Sequence, residues 1–507
     1  MEGILYYDRG DFTLLIGDNS GLAISGGAQI AAVPVAEEGA IRIGSYNIEN
    51  LSGGESVPLN RLSKLTEVFC QYLRNPDVVG LVEIANLETA QRLARAINDD
   101  EFGTCPDNPM YEAYLLSTSG SQRLGYLVKT APVENGLPRV EVLSVTEQFA
   151  ADTLTAPDGN ANGVLFDRAP LLLQARVNGE RDRSYPLHVL LNHTLSLLDV
   201  NDTTPRAVWG TDGDRSRGKR LQQAVKLSEL VESIQANNAD APLVLIGDYN
   251  AFDFNDGYMD VMGIIRGTPA PADQVLAWAD SAVTRPLTNL IGTKPEAEQY
   301  SYVFEGNIQT LDHALVNEAV LETTEATLHH ARVNSDFATD NAADPTVPVR
   351  TSDHDPLVAD LVVPAFLDAD LATTVFTPFK LVFDGQSVPF VATVRNRGES
   401  RAIRPELTLR IDGTPDQVRQ VLAAGWLCGT PVAVAGGSEV SCGREQPMVP
   451  GEIDFLLVDL EAVRLTPIDT VGLRVEADTR SNDTQPGNDS RGDSAKVVGR
   501  PRWIRGD

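Results

Sequence analysis

The sequence predicts an α/β domain followed by an all-β domain. Between residues 40 and 362, strand-like apolar runs alternate with segments in which apolar residues recur every three or four positions, which is typical of amphipathic helices. From 366 to 500 there are only short alternating runs, separated by Gly, Pro, Asn and Asp, as in a β-sandwich. The length of 507 residues and the hydrophobic content of 42% suffice for two to four domains.

The first segment, residues 1–38, alternates apolar and polar residues and then becomes rich in glycine. It predicts two or three strands, too few to close a hydrophobic core by themselves. We interpret it as the remnant of an upstream β-domain, and the chain as a piece of a longer protein. Its start lacks the basic stretch and apolar core of a signal peptide, so the export signal is not expected in this chain.

The middle segment, residues 40–362, contains the clearest elements of regular structure. Its strongest predicted helices are "LNRLSKLTEVFCQYLRN" and "RLQQAVKLSELVESIQANN", and its strongest predicted strands are "VVGLVEI", "LHVLLNH" and "LVLIGD". Alternation of such elements predicts a layered α/β or α+β domain.

The last segment, residues 366–500, predicts a β-sandwich with one internal cross-link. The chain has four cysteines, Cys70, Cys105, Cys428 and Cys442, with no CxxC motif and no metal-ligand spacing. This predicts disulfides formed in an oxidising compartment, with four unpaired buried thiols as the alternative. Closing the loop between Cys428 and Cys442 is worth about 3 kcal/mol by chain entropy.

The charge and hydropathy restrict the partners. With 71 acidic against 41 basic residues, the net charge of −30 argues against binding nucleic acid by bulk electrostatics. It does not exclude a nucleic-acid enzyme, because divalent cations can screen the approach of a polyanion. No stretch of about 20 uncharged apolar residues predicts a membrane span.

Six short motifs place polar side chains at the ends of apolar strands, where a sheet opens to solvent. Carboxylates and amides dominate these motifs, and they are the hard oxygen ligands that suit Mg²⁺, Mn²⁺ or Ca²⁺. The motifs, in chain order, are "SYNIEN" with Asn47, "GLVEIAN" with Glu83, "LLNHTLS" with Asn192 and His193, "IGDYNAF" with Asp248 and Asn250, "TLDHALV" with Asp312 and His313, and "TSDHDP" with Asp353 and His354.

This ordered set resembles the endonuclease/exonuclease/phosphatase superfamily, whose members run N…E…H…GDxN…D…SDH. The resemblance covers residues 40–362 and implies the DNase I-like fold, an α+β four-layer β-sandwich flanked by helices. The run from "NHTLSL" through "YSYVFEGNIQTLDHAL" is similar to a bacterial extracellular nuclease branch. There an OB-like or lamin-tail-like domain often precedes the nuclease domain, and residues 1–38 resemble its end. Residues 366–500 resemble Ig-like bacterial surface modules of the DUF11/CARDB kind.

The resemblance also implies roles for single residues. Asn47, Glu83 and Asp353 would hold the catalytic Mg²⁺ or Mn²⁺, with Ca²⁺ as an alternative metal. Asp248 would orient or deprotonate the attacking water, and His193 would act at the leaving oxygen. Asn250 and His354 would contact the phosphate, with Asp312 orienting His354. Asn192 would contact the phosphate or hold the loop of His193.

Other residues have two open interpretations. Arg220 and Gln223 would be orienting or phosphate contacts, or else lie on an ordinary surface helix. The acids of "FDFNDGY" predict turns and helix caps, with a Ca²⁺ site as the minor alternative.

Two departures from the family pattern stand out. The stretch "SQRLGYLVKT" lacks the acid that would pair with His193, and Leu195 stands where the nearer relatives carry a base.

The sequence therefore predicts a secreted or surface-attached, divalent-metal phosphodiesterase, a nuclease acting on extracellular DNA. A small-molecule or lipid phosphoesterase using the same site is one alternative. The other is an adhesion or scaffold protein with a vestigial nuclease domain. The C-terminal module would serve cell-surface or matrix contact, and nothing in the sequence implies an oligomer.

Overall fold

A computed structural model describes residues 4–8, 11–15, 28–116, 120–464 and 469–499. The chain divides into two compact units, Met1–Val362 and Val363–Asp507. The module limits expected at 38/40 and 362/366 stay a prediction.

The first unit combines strands with a few helices. Its described strands, in chain order, are β1 (Ile4–Asp8), β2 (Asp11–Leu15), β3 (Ala40–Leu51), β4 (Val78–Ile84), β5 (Tyr111–Tyr114), β6 (Arg123–Lys129), β7 (Val140–Glu147), β8 (Thr153–Thr155), β9 (Ala161–Val164), β10 (Leu171–Asn178), β11 (Ser184–His193), β12 (Pro205–Arg206), β13 (Gly210–Thr211), β14 (Leu243–Asp248), β15 (Thr288–Asn289), β16 (Tyr302–Phe304), β17 (Asn307–Gln309), β18 (Asp312–Val316), β19 (Glu325–His330) and β20 (Leu357–Val362). Its α-helices are α1 (Leu59–Glu67), α2 (Leu87–Asn98), α3 (Asp212–Asn237), α4 (Val261–Arg266) and α5 (Glu318–Thr323).

Two six-stranded mixed sheets form the centre of this unit. The first has the order β19-β20-β3-β4-β6-β5 and the second β15-β18-β14-β11-β10-β7. Within them β3 runs parallel to β4 and β11 parallel to β14, while the other neighbours are antiparallel.

The two sheets pack face to face with helices on their outer sides. At Gly80 on β4, an added Cβ would lie 2.6 Å from Leu191 and 2.9 Å from Ile246, so the glycine lets the opposing sheet approach. Side chains of α1 and α2 share a core with β3 and β4, and side chains of α3 and α4 share one with β11 and β14. This four-layer arrangement confirms the predicted fold class.

The predicted elements lie where the sequence patterns place them. The first predicted helix is α1, continued by a π-helical turn at Val68–Tyr72, and the second lies within α3, which begins at a capping box of Thr211 and Asp214. The three predicted strands are β4, β11 and β14.

The topology brings the polar strand ends together. Because β11 and β14 are parallel, His193 pairs with Asp248 at their carboxyl ends. Asp248 also pairs with Asp312, the first residue of the antiparallel strand β18. Three residues from distant parts of the sequence thus form one row at the sheet edge.

The second unit is a β-sandwich. Its described strands are β21 (Asp368–Ala369), β22 (Leu371–Phe376), β23 (Leu381–Phe383), β24 (Ser387–Asn396), β25 (Glu406–Ile411), β26 (Val418–Ala423), β27 (Leu427–Cys428), β28 (Val432–Val434), β29 (Gly437–Gly443), β30 (Ile453–Glu461), β31 (Asp469–Asp478), β32 (Asn482–Asp483) and β33 (Ser490–Val498). A four-stranded sheet, β22-β24-β30-β26, and a seven-stranded sheet around β25, β31 and β33 share one apolar core. This confirms the predicted all-β sandwich.

The cysteines form two disulfides, Cys70–Cys105 in the first unit and Cys428–Cys442 in the second, as predicted. No helix among the described residues is long and apolar enough to cross a membrane.

The N-terminal segment is described only in part. The strands β1 and β2 pair as an antiparallel hairpin, while residues 16–27 of the expected upstream remnant lie outside the described ranges. Ala31 forms a bridge with Arg332, and Val33 donates to the carbonyl of Tyr72, which joins this stretch to the first unit.

Candidate active site

A cavity of about 440 Å³ opens where the row of His193, Asp248 and Asp312 faces the ends of β3 and β4. Seven of the nine predicted site residues meet at this cavity. Six of them line it, Glu83, His193, Asp248, Asn250, Asp353 and His354. The seventh, Asn47, lies beneath it and donates to Oδ2 of Asp248 at 3.1 Å.

Glu83 reaches the cavity through a strained bulge. Its φ is +65°, and the pairing of β4 with β6 shifts register at this residue. A non-glycine residue in this region costs of order 1–3 kcal/mol, and such strain collects at functional sites. The backbone N–H of Asn50, itself at a φ of +57°, donates to Oε2 of Glu83 at 3.1 Å. The bulge therefore directs one carboxylate toward the cavity.

The loop of Asp353 and His354 is held by a buried polar network. Asn334 accepts hydrogen bonds from the N–H groups of Thr351 and Ser352 and donates to the carbonyl of His354. The Ser352 hydroxyl donates to the carbonyl of Asn47 at 2.6 Å, which joins the loop to β3.

Asp355, the second acid of "SDHDP", supports this network from below. It is buried and accepts hydrogen bonds from the N–H groups of Val333, Asn334 and Ser335. Its role is to position the loop rather than to contact a substrate.

His354 and Asp312 form a hydrogen-bonded pair, as the resemblance implied. Nδ1 of His354 lies 2.7 Å from Oδ2 of Asp312, which also accepts from the hydroxyl of Ser301 at 2.7 Å. Burial alone would lower the pKa of His354, but the carboxylates of Asp312 and Asp248 raise it well above its usual value. The ring of Tyr302 stacks on the imidazole at 4.6 Å. His354 is therefore the charged imidazole of the site.

Asp248 lies between the two imidazoles. Its Oδ2 is 3.7 Å from Nε2 of His193 and 3.9 Å from Nε2 of His354. Burial raises the pKa of Asp248 from 3.8 to about 7, against the opposing effect of His354. A carboxyl group with a pKa near neutrality is matched to general-base work.

His193 is in the opposite charge state to His354. Burial and the guanidinium of Arg168 hold its pKa well below the usual range. Nε of Arg168 lies 3.1 Å from Nδ1 of His193 and Nη2 lies 3.0 Å from Nε2. Because a guanidinium only donates hydrogen bonds, its contacts with both ring nitrogens favour the neutral imidazole over the imidazolium. The partner of His193 is thus an arginine, where the family pattern has an acid.

Glu83 and Asp353 supply partly buried carboxylates that line the cavity and are suited to a divalent cation. Burial and the charge of Asp353 raise the pKa of Glu83, so repulsion between the two carboxylates disfavours the ionised form of Glu83. The amide of Asn47 contacts Oε1 of Glu83 at 3.4 Å, and its own Oδ1 accepts from the N–H of Glu49 at 3.1 Å. A divalent cation would relieve the repulsion, and a carboxylate-rich set fits Mg²⁺ or Mn²⁺. Asp248, Asp312 and His354 form a second group, whose ligand-type atoms all lie within 4.8 Å of one another.

Arg220 and Gln223 hold loops beside the cavity. Both are buried on α3, which excludes the surface-helix interpretation. Arg220 donates to the carbonyls of Leu195 and Asn250, and Gln223 accepts from the N–H of Leu195 at 2.9 Å. They position the segments after His193 and Asp248, and neither lines the cavity.

Asn250 sits in the turn after β14, at a φ of +44°. Its N–H donates to Oδ1 of Asp248 at 2.8 Å, and its amide donates to the carbonyl of Thr194 at 3.3 Å. The Asp-x-Asn spacing thus fixes the carboxylate of Asp248 and leaves the Asn250 side chain at the cavity wall.

Asn192 does not reach the cavity. Its side chain is fully buried on the other face of β11, where the amide donates to the hydroxyl of Tyr249 at 2.9 Å. Successive side chains of a strand point to opposite faces, so Asn192 cannot share the direction of His193. The expected phosphate contact is replaced by a packing role.

His313 is likewise directed away from the cavity. Its two ring nitrogens contact Asn289 and the carbonyl of Ala251.

The acids after Asn250 are structural. Asp256 accepts from the N–H groups of Tyr258 and Met259, and Asp260 caps α4 by accepting from Gly263. Asp253 pairs with Arg266 at 2.9 Å. These contacts agree with the predicted turns and caps, and they occupy the carboxylates that a Ca²⁺ site would need.

Sequence reasoning missed Arg168, Ser301 and Tyr302. Arg168 lies in "FDRAP", three residues before the buried strand β10 begins at Leu171. A basic residue just before a buried strand was the one sequence feature that could have pointed to it. Ser301 and Tyr302 carried no signal, because their importance comes from contacts with Asp312 and His354.

No family model matches the chain, and no curated protein matches it. Among solved structures, the chain is similar to truncated TDP2 of Caenorhabditis elegans, with 14% identity over 64% of this chain and 98% of that one and a TM-score of 0.37. An endonuclease/exonuclease/phosphatase family protein from Bacteroides thetaiotaomicron matches with 12% identity over 64% of this chain and 99% of that one, with a TM-score of 0.36. The CARDB domain of the PF1109 protein from Pyrococcus furiosus matches with 12% identity over 26% of this chain and 96% of that one, with a TM-score of 0.19.

Proposed function

We propose that this chain is a divalent-metal-dependent phosphodiesterase that hydrolyses nucleic acid, with extracellular DNA as its substrate. The observation that carries this proposal is one cavity in which metal-type carboxylates, Glu83 and Asp353, face a charged imidazole, a neutral imidazole and a carboxyl group of raised pKa. Phosphodiester hydrolysis needs these functions together: charge neutralisation at the phosphate, a base for water and donors for the leaving oxygen.

Asn47, Glu83 and Asp353 would hold the metal, which when bound neutralises charge on a non-bridging phosphate oxygen. Asp248 accepts a proton from the water that attacks phosphorus. Oδ1 of Asp248 is fixed by the N–H of Asn250 at 2.8 Å, which leaves Oδ2 directed between the two imidazoles.

The two histidines divide the remaining work. His354, kept protonated by Asp312, donates to an oxygen of the scissile phosphate through Nε2. His193, neutral against Arg168, contacts the leaving oxygen and stabilises its developing charge. Asn250 contacts the phosphate from the cavity wall.

The test is hydrolysis of plasmid DNA and of a chromogenic phosphodiester in EDTA, Mg²⁺, Mn²⁺ and Ca²⁺. Cleavage with Mg²⁺ or Mn²⁺ and none in EDTA is expected. His193→Ala and Asp248→Ala should abolish turnover, while Asp256→Asn, whose remaining carbonyl still accepts from the turn, should not. If DNA survives every metal while a small phosphoester is cleaved, the substrate is wrong. If the folded wild-type protein cleaves neither, the enzymatic proposal is wrong.

Metal binding can be measured without turnover. Calorimetric titration with Mn²⁺ should show a site in the wild-type protein that is lost in the Glu83→Gln, Asp353→Asn double variant. Unchanged binding in that variant would remove Glu83 and Asp353 from the ligand set.

We also propose that the protein works outside the cell or at its surface. The two disulfides support an oxidising compartment, and the C-terminal sandwich would make surface or matrix contacts. Fractionation of the producing cells should find the chain in the medium or on the surface with its four cysteines oxidised. A cytosolic, reduced protein would contradict this.

A further inference from the structure

One wall of the cavity is apolar and exposed. It is formed by the hairpin of β16 and β17, which carries Phe304 with 44% of its surface exposed, and by Leu198 in the loop after His193, with 66% exposed. Both side chains line the cavity that holds His354 and Asp248. Two large apolar side chains from separate segments, both open to solvent beside a polar site, indicate a ligand surface rather than core packing.

The hairpin places Phe304 two residues after Tyr302, beside the reactive groups of the cavity. Tyr302, on the same strand, stacks on His354 with 4.6 Å between ring centroids. Side chains two positions apart share a face of a strand and lie about 7 Å apart. Phe304 therefore stands on the face that covers His354, next to the group attached to the scissile phosphate.

The charges of the residues that line the cavity argue against a surface that binds many consecutive phosphates. Among the described residues that line the cavity, Arg168 is the one arginine or lysine, beside the charged imidazole of His354, and the chain carries a net charge of −30. A duplex is held mainly by many contacts between basic residues and phosphates. Here the groups that flank the scissile phosphate must be held by stacking and hydrogen bonds instead.

We propose that Phe304 is a stacking platform for an unpaired nucleobase next to the scissile phosphate, which makes single-stranded nucleic acid or a single-stranded end the substrate. This rests on the proposed phosphodiesterase function. Gln309, which pairs with Tyr302 across the hairpin and lines the cavity, lies within the same wall and can hydrogen-bond the base edge. Leu198 covers the base from the loop after His193. Because the faces of a paired base are covered by its neighbours in the duplex, the platform selects unpaired bases.

The experiment compares two substrates and two variants. Values of kcat/KM are measured for a short single-stranded oligonucleotide and for the same oligonucleotide with abasic residues on both sides of one phosphate. Phe304→Ala should lower kcat/KM on the base-bearing strand about 5- to 150-fold, the range expected for loss of one base–aromatic stack. It should leave cleavage of the abasic phosphate unchanged, and Phe304→Trp should restore the loss.

Ile308 offers the matched control. It lies on the same hairpin with 59% of its surface exposed but does not line the cavity, so Ile308→Ala should behave as wild type. Equal losses for Phe304→Ala on both substrates would show a structural effect and overturn the proposal. Preference for a phosphodiester with a long alkyl group over the oligonucleotide would assign the wall to a lipid-like substrate and would also overturn it.

A binding readout separates this inference from the enzymatic proposal. In EDTA, a single-stranded oligonucleotide with 2-aminopurine should be quenched by the wild-type protein and less by Phe304→Ala. Quenching that depends on Phe304 without turnover in any metal would support the platform and refute the phosphodiesterase. Turnover with quenching unaffected by Phe304→Ala would do the reverse.

Discussion

Replacing Asp312 with asparagine tests the pair that keeps His354 charged. In the structure Oδ2 of Asp312 lies 2.7 Å from Nδ1 of His354, and both side chains are buried. Asparagine retains the size and can still contact the hydroxyl of Ser301, which lies 2.7 Å from Oδ2. The variant therefore removes one negative charge with little change in packing.

The size of the effect follows from the type of bond that is lost. A hydrogen bond to a charged group contributes about 1.5–3 kcal/mol. If this stabilisation is carried into the transition state, kcat/KM falls about 10- to 150-fold, since each 1.36 kcal/mol is a factor of ten. A larger loss is expected if the amide also holds the ring of His354 in the wrong tautomer.

The assay is the pH dependence of kcat/KM on a small chromogenic phosphodiester in saturating Mn²⁺. Asp312 raises the pKa of His354, so the imidazolium persists to higher pH in the wild type than in the variant. The fall in activity on the alkaline side should therefore move to lower pH in Asp312→Asn. Asp256→Asn serves as the matched control, because Asp256 accepts from backbone N–H groups of a turn and does not line the cavity.

Two results would refute this reasoning. An unchanged alkaline limb with a uniformly lower rate would show that Asp312 positions the ring but does not set its charge. An activity within a factor of two of wild type across the pH range would show that His354 works without its acid. Thermal unfolding of the variant should be recorded in parallel, so that loss of folding is not mistaken for either outcome.

Three further predictions follow from the same contacts. Burial raises the pKa of Asp248 from 3.8 to about 7, so the folded state loses stability as pH rises through that interval. In EDTA, Asp248→Asn should therefore raise the unfolding free energy by up to about 4 kcal/mol at pH 8, seen as a higher Tm, but not at pH 4; a lower Tm at pH 8 would contradict this. Arg220→Met should lower kcat about 10- to 100-fold by releasing the carbonyls of Leu195 and Asn250. Lys226→Met, on the exposed side of α3, should leave kcat unchanged; equal kcat values for the two variants would show that the loops after His193 and Asp248 keep their positions without Arg220. Replacing Cys428 and Cys442, which are 14 residues apart, by alanine should lower the unfolding free energy of the second unit by about 3 kcal/mol, as measured by chemical denaturation. Turnover by the first unit should be unchanged in a rate assay.

Much of the fold and the outline of the site could be predicted because strand ends are visible in a sequence. A buried apolar run that stops at a polar residue marks the end of a strand, and this pattern singled out Glu83, His193 and Asp248 without any knowledge of the pairing, although they belong to two different sheets. The same pattern misled at Asn192. Its position next to His193 suggested a shared site, but the alternation of side chains along β11 turns it into the core against Tyr249.

The remaining parts of the site depend on contacts between residues distant in the sequence. Arg168 lies 25 positions before His193, and nothing in "FDRAP" indicates that its guanidinium faces an imidazole. The interpretation of α3 as a surface helix was open for the same reason, because only the packed structure shows that Arg220 is buried. The strained φ of Glu83 is also invisible in the sequence, since it arises from a bulge between β4 and β6.

The two histidines show why residue type alone does not define a role. Both follow buried strands or loops at the same cavity, and both lie within 4 Å of Asp248. Asp312 beside His354 and Arg168 beside His193 drive their pKa values in opposite directions, so one ring is a cation and the other a neutral donor at the same pH. A second charged imidazole would weaken Asp248 as a base, because two cations within 4 Å of its Oδ2, which already accepts from Asn47, would favour the ionised carboxylate and lower its affinity for a proton. Arg168 therefore keeps His193 neutral, so that His354 is the one charged imidazole beside Asp248.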